Sequence, residues 1–257
     1  MLPRNSCSSR SGNEARATAY AESLTELLES LEPDLIQGRD VSVLTEMLDA
    51  AAARSFTELA ARPDVQADVQ HTLGTVYMDL SMFDKAEIML ESAVAIRRDL
   101  APKGDLHLGQ ALASLGFMHL STGQGKTAEP YMREAVTMLR AVHDPPAPVS
   151  NLAEAEAALS QCLGADATPA NLLEVLTLSR QALERCEQNL DVVPHDTFTY
   201  CILVRAEAMW VTNDLDKAEA MYRYLLEVRR SFDSEESQGV ASAHVVLGRL
   251  LKQRGKL

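Results

Sequence analysis

One feature limits this chain more than any other: a pattern of small and large apolar residues that returns at a nearly fixed interval. Between Asp68 and Ala93 the pair Leu73-Gly74 is followed by Tyr77, Phe83, Ala86, Leu90 and Ala93. Spacings of three and four put these residues on one face of each of two helices, with a break near Ser81-Met82. The same order recurs at Leu115-Gly116, His119, Gly125, Ala128, Met132 and Ala135, so that Gly74 and Gly116 lie 42 residues apart. A third, degraded copy carries Ala158 and Ala182, and a fourth carries Ala206, Met209, Leu215, Ala218, Tyr222 and Leu225. A half copy follows at Leu247-Gly248. The phase slips once, between Ala158 and Ala206, and the extra residues are expected mainly in Gly164–Thr168. Such a period predicts an array of helix pairs, each burying the apolar face of the next.

Glycine inside a helix costs roughly 1 kcal/mol against alanine, so Gly or Ala at the same point of five first helices needs a compensating cause. Close crossing supplies it. Where axes approach to about 8–10 Å, a larger side chain would hold the backbones apart, and Ala86, Ala128 and Ala218 answer from the second helices. Gly74, Gly116 and Gly248 are therefore expected against a neighbouring helix.

Gly74, Tyr77, Ala86, Leu90 and Ala93, with the Ala-Glu pairs at 86-87, 128-129 and 218-219, resemble the tetratricopeptide repeat in its longer form of about 42 residues. Val193–Thr197 resembles the inter-repeat linker of kinesin-light-chain-like arrays. The likeness covers about residues 63–257. It implies an all-α fold, a right-handed superhelical array of antiparallel helix pairs whose first helices line a concave face. The lead-in, Val43–Arg54 followed by Glu58-Leu59-Ala60 and Pro63–Gln66, resembles the segment before the repeats in bacterial serine/threonine kinases with a C-terminal repeat region. No glycine-rich loop, V-A-I-K, H-R-D or D-F-G string accompanies it.

The 257 residues are 46% apolar but only 5% aromatic, and alanine and leucine outnumber β-branched residues, which suits helices and disfavours a sheet. A formal charge of −13 repels phosphate backbones and anionic lipid, arguing against nucleic acid as partner. Solvated acidic helix faces account for most of that charge, and a basic partner is the sharper alternative. Cys7, Cys162, Cys186 and Cys201 form no C-x-x-C pair and are expected as free thiols in the cytoplasm. No apolar run is long enough to span a membrane.

Residues 1–13 are expected to be a disordered tail. Residues 14–62 form an N-terminal helical cap, with one helix over about 14–31 and another over about 41–61 capped by Asp40 or Ser42. Residues 63–257 form the array, with helix pairs at about 64–80 with 83–100, 105–121 with 125–142, 149–163 with 169–190 and 195–212 with 215–231. An unpaired helix follows at about 236–254. Pro130 is placed in the first turn of its helix, and Pro169 at a helix start with Thr168 as cap. The last helix either docks through Val240, Ala243, Leu247 and Leu250, with Arg249, Lys252 and Arg254 outward, or offers a face for self-association.

Gly123–Thr127 ends like a phosphate-binding loop, but the first glycine of that motif is replaced by Leu120 and no strand precedes it, so a plain interhelical turn is the expectation. The six histidines have no H-x-x-x-H or C-x-x-C company, and neither metal nor cofactor is expected. An enzyme built around Glu207, His71 and Asp79 is a third possibility without a motif behind it.

The resemblance places a partner-binding groove one turn around from the packing positions of the first helices. Its expected lining is Asp68, His71, Thr75 and Met78, then Gln110, Phe117 and Leu120, then Leu159 and Cys162. Tyr200, Leu203, Glu207 and Trp210 continue it, and Arg249 and Lys252 end it. Phe117, Tyr200 and Trp210 are rigid anchors of the kind that carry interfaces, although aromatic residues at helical spacing also serve as core. The lysine/asparagine pattern that holds a terminal carboxylate in some relatives is missing, as are the paired asparagines of kinesin-light-chain-like repeats. The expected function is a non-enzymatic scaffold that takes a peptide or partner domain; the alternative is a detached regulatory region of a bacterial serine/threonine kinase system.

Overall fold

The computed structural model describes residues 42–142 and 148–256. The expected tail, the helix over 14–31, Asp40 and Cys7 lie outside them. Among the described residues all regular structure is helical: α1 Ser42–Glu58, α2 Pro63–Asp79, α3 Phe83–Leu100, α4 Leu106–Ser121, α5 Gly125–Ala141, α6 Val149–Ala165, α7 Leu172–Glu187, α8 His195–Val211, α9 Leu215–Phe232 and α10 Gln238–Gln253. The described residues cluster into two compact units, divided within α4 between Met118 and His119.

The repeat register is a burial register. Leu73, Tyr77, Ala86, Leu90 and Ala93 are buried in the first unit, and His119, Ala128, Met132, Ala135, Ala158, Ala182, Ala206, Ala218 and Tyr222 in the second. A β-carbon added at Gly74 would lie 2.6 Å from Leu90 Cγ on the second helix of its own pair. Close crossing therefore explains that glycine. It does not explain Gly248, where an added β-carbon meets nothing within 4 Å, because among the described residues α10 has no second helix to answer it.

In the first unit α1 docks on the α2–α3 pair. Tyr77 Oη donates to Asp49 Oδ1 at 2.8 Å, and Lys85 Nζ donates to the same carboxylate at 2.7 Å. The lysine is well exposed and adds little. The tyrosine hydroxyl, on a buried ring, fixes where the helix sits.

A feature the periodicity did not announce is the identity of the turns. Ser81, Gly123, Asn213 and Gly255 all take positive φ, between 58° and 75°, at one position of the repeat. In each turn this residue's N–H bonds three residues back and the next N–H bonds five back: Ser81 to Met78 and Met82 to Tyr77, Gly123 to Leu120 and Gln124 to His119. Asn213 and Asp214 do the same to Trp210 and Met209, as do Gly255 and Lys256 to Lys252 and Leu251. This paired closure satisfies the orphan carbonyls of the first helix and reverses the chain.

The third pair departs from that scheme. α6 runs through Ala165, so Gly164 is helical and the insertion lies at 166–171. Pro169 does not open α7, which begins at Leu172. Instead Asn171 Oδ1 accepts the Thr168 N–H at 2.7 Å and Asn171 Nδ2 donates to Leu163 O at 3.2 Å, so one amide side chain closes the longer loop. Pro130 is likewise not in a first turn. It is the sixth residue of α5, where it leaves the exposed Lys126 carbonyl without its intrahelical donor.

Two further links hold the second unit. Glu156 on α6 is fully buried and accepts from Arg140 Nη2 at 2.8 Å and Arg185 Nε at 2.9 Å, tying α5, α6 and α7 together. At the far end Val240, Ala243, Leu247 and Leu250 are buried. Arg254 does not face outward as expected: it turns back to pair with Asp216 and with Glu219 at 2.6 Å at the start of α9.

Candidate functional site

In the first unit, the expected groove residues are held mostly by one another and by neighbouring packing. Asp68 pairs with Arg97 and lies 3.8 Å from His107 Nδ1. Thr75 donates its hydroxyl to Thr72 O at 2.8 Å. Met78, Gln110 and Phe117 are half-buried. His71 Nε2 and Ser114 Oγ share a hydrogen bond of 2.8 Å, bridging α2 and α4. Burial lowers the His71 imidazole to about 4, against the opposing pull of Asp68.

That pair has the outline of a nucleophile and base, but its surroundings oppose the chemistry. A base held near 4 is a poor proton acceptor at neutral pH. Ser114 sits inside a helix, where backbone N–H groups are committed to the turn before and cannot serve as oxyanion donors. The pair reads as a packing contact between first helices. Of the trio weighed for catalysis, His71 and Asp79 belong to the first unit and Glu207 to the second.

In the second unit Leu120 is half-buried, while Leu159 and Cys162, at 3% and 5% exposure, belong to the packing rather than to an open lining. Burial pushes the Cys162 thiol up to about 11. Tyr200, Leu203, Glu207 and Trp210 do come together, along the face of α8. Tyr200 Oη donates to Gln161 Oε1 at 2.9 Å, and Gln161 Nε2 donates to Glu207 Oε2 at 3.1 Å. Burial raises the Glu207 carboxyl above its usual range, and the Gln161 bond offsets part of that. Trp210 Nε1 donates to Gln253 Oε1 at 2.7 Å, and its ring meets Tyr222 edge-on at 6.1 Å.

Two hollows flank this row. One, about 300 Å³, lies at the C-terminal ends of α6 and α8 and is lined by Gln161, Glu207 and Trp210 with Val175, Val204 and Val211. The other, about 340 Å³, lies between α8 and α10 and is lined by Tyr200, Leu203, Arg229, Ser242 and Val246. Arg249 and Lys252 are exposed on α10 and line neither.

Gln161 and Arg229 were not anticipated. A signal for Gln161 existed, since the register sets it where Tyr77 and His119 are buried, and an amide at a core position asks for partners. Arg229, on a second helix, carried none. Its guanidinium donates to Asp196 Oδ1 at 2.8 Å.

Among the described residues no three His, Cys, Asp or Glu side chains gather as a metal site, and no helix is long and apolar enough to cross a membrane. The loop-like string at Gly123–Thr127 is a turn. The amides of Gly123, Gln124, Thr127 and Ala128 bond to backbone carbonyls and are not free to cradle phosphate.

Residues 67–100 and 108–146 match models of the tetratricopeptide repeat. Among solved structures, BtubC (BKLC) from P. vanneervenii aligns with a TM-score of 0.61 at 14% identity, over 84% of this chain and 86% of that one. A kinesin light chain protein of Podosopora anserina with nearly identical TPR-like repeats aligns at 0.55 and 14%, over 73% and 85%. YrrB, a TPR protein with an unusual peptide-binding site, aligns at 0.50 and 20%, over 88% and 99%. These likenesses show the fold. Among curated proteins no sequence matches this chain.

Proposed function

We propose that the chain is a non-enzymatic interaction module that binds a peptide or partner domain along the first-helix face, centred in the second unit on Tyr200, Leu203, Glu207 and Trp210. The observation that carries this reading is the pair of hollows on the α6–α8 and α8–α10 faces, the first mainly apolar and the second mixed, with the Tyr200, Gln161 and Glu207 bonds running between them. Concave sites lined by apolar walls and a few fixed polar groups are what peptide anchors occupy. YrrB, whose fold is similar, carries a peptide-binding site of its own. Within the second unit the exposed Arg249 and Lys252 on α10 are proposed to belong to the binding surface; the expected lining in the first unit, from Asp68 to Phe117, is proposed as a binding face of that unit.

The test is capture of native partners on immobilised protein, comparing Trp210→Ala and Phe117→Ala with the unaltered chain. Folded variants that retain every partner would rule out the groove. A second reading, the repeat region of a bacterial serine/threonine kinase system, is favoured only by the likeness of Val43–Arg54 and Pro63–Gln66. A kinase gene beside this one would support it, and an unrelated neighbourhood would count against it.

A further inference from the structure

The hollow at the ends of α6 and α8 has a chemical character of its own. Glu207 is half-buried in it, with one oxygen taken by Gln161. It forms no ion pair with any described residue. Arg205, the nearest cation in sequence, is committed to Leu176 O at 2.9 Å and Ser179 Oγ at 3.2 Å. A carboxylate in an apolar pocket without a cation is an expensive arrangement. Burial accordingly holds the group towards its neutral form. Three other features favour positive charge at the same place. The C-terminal ends of two helices, α6 and α8, meet there, and each carries the negative end of its dipole. Trp210 supplies the aromatic face that attracts cations most strongly. The whole chain carries −13, which draws basic partners and repels acidic ones.

We propose that this hollow takes an arginine side chain from the bound peptide or partner, the guanidinium meeting Glu207 and lying against Trp210. The proposal rests on the groove reading above and deepens it. Arginine fits better than lysine. Its planar guanidinium stacks on indole while its edge donates to a carboxylate. Its methylene stem matches the walls of Val175, Val204 and Val211.

Trp210 is the only tryptophan in the chain, so its emission reports occupancy directly. The full-length chain is titrated with acetyl-arginine methylamide, and in parallel with acetyl-citrulline methylamide, an uncharged near-isostere, at matched ionic strength. A fragment of this size is expected to bind in the millimolar range. The citrulline compound should bind at least about tenfold more weakly, as should the arginine compound to Glu207→Gln, since in each case one of the two opposite charges that strengthen the hydrogen bonds is lost. Equal responses to the two compounds, or no emission change with arginine, would overturn the proposal. The citrulline comparison uses the unaltered chain and does not depend on how a variant folds. If partner capture depends on Trp210 while the two compounds behave alike, the groove stands and the arginine assignment falls. If arginine alone binds while capture ignores Trp210, the hollow stands and the groove reading falls.

Discussion

Arg185 Nε donates to Glu156 Oε2 at 2.9 Å, and it does so to a carboxylate with no exposed surface. Arg140 reaches the same group from α5, and both guanidiniums are about two-fifths exposed. The two sides of this contact should respond unequally. Glu156→Gln leaves two arginines that can turn to water and should cost about 1–2 kcal/mol. Removing both arginines as Arg140→Met with Arg185→Met strands a buried charge and should cost about 3–5 kcal/mol. Urea denaturation of the two variants decides it; equal losses would mean that the carboxylate is not desolvated.

Equivalent glycines should give opposite signs. Gly74→Ala drives a β-carbon into Leu90, itself fully buried, and should destabilise by about 1–3 kcal/mol. Gly248→Ala meets open space within a helix and should stabilise by up to about 1 kcal/mol. Thermal melts of both, compared with the unaltered chain, read the difference.

Where the turns need φ near +60°, side chains are the variable. Ser81→Gly should stabilise by about 0.5–1 kcal/mol by removing a left-handed conformation that costs an L-residue roughly 1–2 kcal/mol. Gly123→Ala should lose a similar amount although nothing crowds it. Denaturation midpoints shifting together in one direction would exclude this account.

His71 sets a pH dependence in the first unit. Its folded value, about 4, lies below the ordinary 6.5, so the unfolded chain binds the extra proton between them. The contribution is complete above about pH 6.5 and is lost as pH falls towards 4. Between pH 7.5 and 5.5 that is about 1 kcal/mol. Asp68, Arg97 and His107 are the charges acting on the ring, and Ser114 is its hydrogen-bond partner. In His71→Gln the pH slope of stability should flatten over this window, with Asp68 and His107 left in place.

The sequence by itself determined the helices, their pairing interval and the residues that face inward, because a repeated contact leaves a repeated spacing. Leu73, Tyr77, Leu90, Met132 and Tyr222 were legible for that reason. So was the exclusion of a phosphate loop at Gly123. Periodicity speaks only within a helix, and so it could not tell which side chains reach across to another. That Gln161 joins Tyr200 to Glu207, that Leu159 is covered, that Arg254 folds back onto α9 and that a β-carbon at Gly248 would meet open space were all decided by tertiary neighbours. The candidate site lies in that second class. A face of α8 was foreseeable from spacing, but its chemistry depends on an apolar enclosure, a shared amide and a carboxylate that no described cation pairs with, which exist only once separate helices are packed side by side.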